Sequence, residues 1–181
     1  MARWEIKNVG MKGVAMAVPK NVVTTSELGL LSQEEADVFD NTVGIKRRHI
    51  APDTMCASDM CQAAAEKLLV ELGWEKDSID VLLFESVTGD YRTPPTSCVL
   101  QDRLGLSENC FCMDIPMGCC GCMYAITVAG NLLTAGNVKR ASSHRIYDHV
   151  NQKGEKNDTG NQIVPIADDK RFFFKNPVHT I

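Results

Sequence analysis

The sequence predicts an α/β fold in which crossover helices pack on a mostly parallel sheet. Three observations carry that expectation. Apolar runs of strand length alternate with longer segments whose apolar residues recur every three or four positions. The run Ile79-Asp80-Val81-Leu82-Leu83-Phe84 is apolar at nearly every position, as a strand covered on both faces requires. Gly73, Gly105 and Gly136 fall where three helical patterns stop. Strand, helix, strand, helix, strand, helix is the rhythm of a parallel sheet, and in such sheets function sits at the carboxyl ends of strands.

Residues 10–18 read as a first strand ended by Pro19, and Thr24-Thr25-Ser26-Glu27 as a turn. Ser32, followed by Glu34 and Glu35, starts a short helix expected to reach Phe39. Residues 40–57 read as a loop carrying Lys46, Arg47, Arg48 and His49. Ser58 is the expected cap of a helix whose apolar face is Met60, Ala64, Leu68, Leu69 and Leu72. After the strand at 79–84, Pro94-Pro95 opens a helix through Leu104. Cys110–Ile115 is a third strand, and Gly121–Ala135 a third helix. Glu85 and Asp90 are expected to be exposed loop carboxylates.

The rhythm breaks after Arg140. Ala141-Ser142-Ser143-His144-Arg145-Ile146 holds no apolar run, and 150–162 is polar and rich in Gly and Asn. The aromatics Phe172-Phe173-Phe174 stand at an abrupt end with no element to face. Two regions follow: 1–140 as a folded domain, and 141–181 as a divergent or frame-disrupted tail. One codon run for Ala141–Ile146, GCG TCA TCA CAT CGG ATA, spells Val-Ile-Thr-Ser-Asp when shifted by two nucleotides.

Composition narrows the function classes. With 181 residues, 44% hydrophobic, 23% charged and a net charge of -4, the chain is an ordinary globular one with no basic face for nucleic acid. No apolar h-region follows Lys7 and Lys12, so a secretory signal is not expected. No charge occurs in the 24 positions from Ile115 to Val138, long enough to span a bilayer. Pro116, four glycines and the polar Thr127, Asn131, Thr134 and Asn137 make a buried strand end plus helix the better reading. A cytoplasmic setting with reduced thiols is expected for the eight cysteines, five of them between 110 and 122. Cys110-x-Cys112 and Cys119-Cys120-x-Cys122 lack the paired C-x2-C knuckles of zinc ribbons, so no metal is assigned.

The turn after Ile115 carries the chemistry. A strand ends, Pro116-Met117-Gly118 turns, and a helix begins, with Cys119 at the corner. A helix N-terminus favours the thiolate, the nucleophilic form of cysteine, and its N–H groups can stabilise an oxyanion. This is nucleophile-elbow logic with cysteine in place of serine. A cysteine that merely packs would give the same pattern, and from these residues alone both readings stand.

Four ordered stretches between about 10 and 140 resemble the N-terminal half of a 3-oxoacyl-[acyl-carrier-protein] synthase III, a thiolase-like condensing enzyme. Val43-Gly44-Ile45-Lys46-Arg47-Arg48-His49-Ile50-Ala51 is similar to the family's Thr-Gly-Ile-x-x-Arg-His-Ile-Ala. Ala57-Ser58-Asp59-Met60 with Ala63-Ala64 resembles the start of its first long helix. Pro94-Pro95-Thr96-Ser97-Cys98-Val99-Leu100-Gln101 with Leu104-Gly105 resembles Pro-Ser-x-Ala-x-x-x-Gln followed by Leu-Gly. Asp114-Ile115-Pro116-Met117-Gly118-Cys119-Cys120-Gly121 with Tyr124-Ala125 resembles the stretch that holds the family's acylated cysteine, and the match sets Cys119 there. The resemblance implies acyl transfer from a coenzyme A thioester to Cys119, then decarboxylative condensation with malonyl-acyl-carrier-protein, with no bound cofactor and a homodimer in the full-length family. It also implies that the second step uses a histidine and an asparagine of a C-terminal half, and none of His49, His144, His149 and His179 stands in that motif.

The departures bear on the donor. Val38 and Thr42 stand where the family often has a tryptophan and an arginine that clamp coenzyme A, and Thr93 where an aromatic lines the acyl pocket. Arg47 and Arg48 are the remaining candidates for coenzyme A phosphates, against the plainer reading of a solvated loop. Three functions compete: a condensing enzyme, an inactive remnant or half-subunit needing a separate C-terminal chain, and a cysteine-rich metal module.

Overall fold

The computed structural model describes residues 5–135 and 137–145, and the backbone of two short strands at 163–165 and 173–175. The elements in chain order are β1 (Gly10–Gly13), β2 (Val22–Thr24), α1 (Gln33–Val43), β3 (Arg47–Ile50), α2 (Ala57–Leu72), β4 (Val81–Glu85), α3 (Thr96–Leu104), β5 (Phe111–Ile115), α4 (Gly121–Thr134), β6 (Arg140–Arg145), β7 (Ile163–Pro165) and β8 (Phe173–Lys175). A five-stranded sheet runs β1-β8-β6-β4-β5, and a three-stranded one runs β2-β3-β7. Strands β6, β4 and β5 are parallel, with Ala141, Val81 and Phe111 in one register row and Arg145, Glu85 and Ile115 in another. Strands β4 and β5 are thus neighbours and parallel, as the apolar runs at 79–84 and 110–115 predict.

Alternation along β4 divides the core into two layers. Leu82 and Phe84 pack with α2 and α3 through Leu68, Leu100 and Leu104. Val81 and Leu83 pack with α4 through Ala125, Ala129 and Leu133. The sheet is therefore covered on both faces over its parallel part, which explains why β4 carries no polar residue before Glu85.

Local chemistry sets the helix ends. In α1 the Glu35 N–H donates to Ser32 Oγ (3.3 Å) and the Ser32 N–H to Glu35 Oε2 (2.9 Å), a capping box. The helix runs to Val43, past the Phe39 expected, and stops at Gly44 with φ 79°. Cys56 precedes α2, and its N–H donates to Asp59 Oδ2 at 2.7 Å. Ser58, expected to be the cap, lies in the first turn with its N–H donating to Asp90 Oδ1 at 3.2 Å. At the start of α3 the N–H groups of Thr96 and Ser97 donate to the two carboxylate oxygens of Asp114, each at 2.8 Å. A strand side chain thereby caps a neighbouring helix and fixes β5 against it.

Four expectations are corrected. Part of the loop read over 40–57 is strand β3, paired antiparallel with β2. Its charged residues hide the alternation, because Arg48 points inward and Arg47 outward. The first strand is shorter than 10–18 and ends at Gly13. The strand thought missing after Arg140 is present as β6, paired along its length with β4. Its polar side chains are held inside: Ser142 Oγ and His144 Nε2 lie 2.6 Å apart, and Arg145 pairs with Glu85. Glu85, expected in an exposed loop, ends β4 at 1% exposure, and Asp90 is half-buried.

Pairing continues across the boundary read at 140. Strand β8 joins β1 to β6, and β7 joins the small sheet. The stretch 150–162, Gly136 and Ile146 lie outside the described residues. Among the described residues no helix is long and apolar enough to cross a membrane.

Candidate active site

At the carboxyl edge of the large sheet, β5 ends at Ile115 and residues 116–120 turn into α4. The Met117 N–H donates to the Ile115 carbonyl at 2.8 Å and the Gly121 N–H to the Gly118 carbonyl at 2.9 Å, so the corner is tight. Cys119 and Cys120 are exposed on it, while Cys122, the second residue of α4, is half-buried. The strand–turn–helix context expected for Cys119 is present, with its thiol residue on the solvent side.

Behind the corner lies a charge pair that hydropathy did not reveal. Arg145 Nε is 3.0 Å from Glu85 Oε1, with the side chains 11% and 1% exposed. Arg145 Nη2 donates to the carbonyl oxygen of Cys119 at 3.0 Å. A Cβ built on Gly121 would stand 2.6 Å from Glu85 Oε1, so α4 begins directly on the Glu85 side chain. The readable signal was a carboxylate ending an otherwise apolar strand. Its partner follows only from the register that sets Glu85 beside Arg145.

The other cysteines separate by environment. Burial pushes the Cys122 thiol up, the Glu85 charge adds to it, and Arg145 opposes both. Burial, then Asp90 and Asp59, push up Cys56. A hydrogen bond with Cys112 and burial push Cys110 up, and the same bond holds Cys112 down. Burial also pushes Cys98 up. Among the described residues no three His, Cys, Asp or Glu side chains are grouped to hold a metal.

The two arginine candidates lie apart from this corner, in the small sheet. Arg47 is exposed at the start of β3. Arg48 is 6% exposed, donates to Thr25 Oγ1 at 2.9 Å and lies over the Phe39 ring at 5.2 Å. Its guanidinium thus ties β3 to the segment before α1 and to Phe39, while Arg47 stays exposed. Val38 and Thr42 are exposed on α1, where Thr42 Oγ1 donates to the Val38 carbonyl at 2.7 Å. His49 Nδ1 is 2.5 Å from the Pro19 carbonyl oxygen, and His144 is fully buried on β6.

No family model matches the chain. Its sequence is 35% identical over 127 residues to "Beta-ketoacyl-[acyl-carrier-protein] synthase III" of Ehrlichia canis, covering 70% of this chain and 40% of that protein. The protein of the same name from Geobacillus kaustophilus is 35% identical over 130 residues, with 72% and 42% covered. Among solved structures, a 3-oxoacyl-(acyl-carrier protein) synthase of Burkholderia xenovorans LB400 matches with a TM-score of 0.79 and 28% identity, over 96% of this chain and 50% of that one. The chain spans half or less of the length of these relatives.

Proposed function

The chain is a homologue of part of beta-ketoacyl-[acyl-carrier-protein] synthase III and carries its thiolase-like fold, and on that premise we propose that it takes an acyl group onto Cys119 in a condensing reaction. One observation carries the reading: Cys119 is solvent-exposed at the turn between the parallel strand β5 and the helix that follows it. A thioester can reach it there without unfolding the sheet, and the start of α4 presents a favourable end of the helix dipole.

The donor is a coenzyme A thioester. The Cys119 thiolate attacks the thioester carbonyl carbon, the carbon–sulfur bond to coenzyme A breaks, and coenzyme A leaves as the thiolate that takes up the proton Cys119 gave. With Val38 and Thr42 replacing the expected clamp, phosphate contact at Arg47 contributes more of the donor's recognition than ring stacking. Malonyl-acyl-carrier-protein then loses CO2, the resulting carbanion attacks the acyl carbonyl carbon, and the carbon–sulfur bond to Cys119 breaks to return its thiolate; none of the described histidines is assigned a role in this step. The setting is cytoplasmic, and the full-length enzyme a homodimer.

Incubation with radiolabelled acyl-coenzyme A tests the first step. The expected result is a hydroxylamine-labile label, at most one per chain, on the peptide holding Cys119, and its loss in Cys119→Ser. A label that survives Cys119→Ser, or no label on a folded chain whose Cys119 still alkylates, would overturn the proposal.

A further inference from the structure

We infer that the buried Glu85–Arg145 pair positions the Cys119 corner and decides which of the neighbouring thiols reacts. The inference rests on the reading of Cys119 as acyl acceptor and adds two positioning residues to it.

Three contacts converge. Arg145 spends Nε on Glu85 Oε1 and Nη2 on the Cys119 carbonyl oxygen, both at 3.0 Å. A planar guanidinium can serve two acceptors at once in fixed geometry, which an ammonium cannot. Glu85 in turn lies under Gly121, so the same carboxylate bounds the start of α4. The Cys119 carbonyl is therefore held from below by β6, and the first residue of the helix from below by β4. With both ends of the corner fixed, the Cys119 side chain is left on the solvent side.

The pair also faces a second thiol. The charged groups that bear on Cys122 are Glu85 from β4 and Arg145 from β6. Burial first and then Glu85 push the Cys122 thiol up, against the opposing pull of Arg145, although it lies only three residues from Cys119. The positioning and the selection thus come from one pair of side chains acting on two cysteines.

Alkylation of the full chain with iodoacetamide, resolved by peptide mapping, reads both effects without any acyl donor. Cys56, the residue before α2, is the internal reference, since neither Glu85 nor Arg145 is among the charges that bear on it. In Glu85→Gln the carboxylate charge that bears on Cys122 is gone while the Arg145 charge stays. Cys122 labelling relative to Cys56 should rise about three- to tenfold, and Cys119 labelling should fall as its carbonyl support loosens. Arg145→Lys keeps the ion pair, and with it the fold, but lacks the fork. It should leave Cys122 labelling within about twofold and slow alkylation of Cys119 by about tenfold. A purely structural role would move the labels of both cysteines together, as local unfolding does. Unchanged Cys119-to-Cys122 ratios in both variants, with far-UV circular dichroism as in the parent, would overturn the inference even if the parent acylates normally. If the parent fails to acylate but the ratios shift as described, the positioning stands and the acyl-transfer reading falls.

Discussion

Replacing Gly121 with alanine puts one methyl group against the buried carboxylate of Glu85. The added Cβ would lie 2.6 Å from Oε1, 2.7 Å from Cγ and 2.8 Å from Cδ. Carbon contacts are comfortable near about 3.5–4.0 Å, so the overlap is roughly 1 Å with three atoms. Glu85 has little room to retreat, because its side chain is 1% exposed and its Oε1 is held 3.0 Å from Arg145 Nε. The substitution is an overpacking of a closed site, which costs about 1–3 kcal/mol. The better helix propensity of alanine returns at most about 1 kcal/mol, and less at the first position of a helix. If Glu85 swings away instead, its ion pair with Arg145 breaks, and breaking a buried pair costs about 3–5 kcal/mol. Shift of the corner by a few tenths of an ångström is the cheaper outcome, so the net cost should be about 1–3 kcal/mol. For a chain of this size that corresponds to a loss of about 2–12 °C in Tm. Gly130→Ala is the matched control on the same helix. Its Cβ would meet Ile6 Cδ1 at 2.5 Å, Cγ2 at 3.0 Å and Cγ1 at 3.3 Å, but Ile6 is half-buried near the N-terminus and its whole side chain can shift outward. That variant should stay within about 1 kcal/mol of the parent, on the stabilising side if the mid-helix propensity gain dominates. Differential scanning fluorimetry of the three proteins reads the comparison. A Gly121→Ala melting temperature within about 1 °C of the parent, or equal to that of Gly130→Ala, would refute the argument that Glu85 is locked beneath the helix.

Asp114→Ala removes the acceptor for two backbone N–H groups at the start of α3 and should lower stability by about 2–4 kcal/mol, read as a shifted urea midpoint, with Asp114→Asn losing less because one amide oxygen remains. Acid should loosen α1 first. The Ser32 N–H, and then the Ser32 hydroxyl, hold the Glu35 carboxyl below its usual range. A depressed folded value means that the contribution is present above the unfolded value near about pH 4.3 and is lost as pH falls through the folded one. Amide exchange at residues 34–37 should therefore accelerate below about pH 4, and should not in Glu35→Gln, whose contact does not titrate.

The parts of the fold visible in the sequence are those whose burial is apolar. Val81–Phe84 announced a strand closed on both faces because each position shed water independently of its partners. The glycines at 73 and 105 announced helix ends because their φ values of 61° and 63° favour a residue without Cβ. The Cys119 corner was legible for the same kind of reason, as a local arrangement of strand end, small residues and helix start. Strand β3 and strand β6 were not legible. Arg48 is buried because Thr25 and Phe39, some 23 and 9 positions away, receive its guanidinium. Ser142 and His144 are buried because they meet each other, and Arg145 because Glu85, 60 residues earlier, ends the adjacent strand. Hydropathy scores each residue alone, and a polar side chain satisfied by a distant partner is scored as if it faced water. The same limit hid Glu85, whose burial depends on Arg145 as much as the reverse.

This mutual dependence links the fold to the site. A strand ending in arginine can lie beside β4 only if the carboxylate opposite it compensates the charge, since an uncompensated buried ion is among the costlier defects a core can hold. The parallel register that brings Arg145 to Glu85 also brings both to the row of Ile115, the last residue before the corner. Charge compensation is therefore achieved at the carboxyl edge of the sheet, where the chain turns toward Cys119, rather than in the middle of the strands. Since Nε and Nη2 of one guanidinium lie on the same rigid plane, the contact that permits burial of β6 sets the direction of the contact that reaches the Cys119 carbonyl. An apolar pair at these two positions could fill the same volume at little cost in stability, but it would have no donor to offer the corner. What the ion pair supplies beyond an apolar replacement is thus a fixed hydrogen bond to the Cys119 carbonyl.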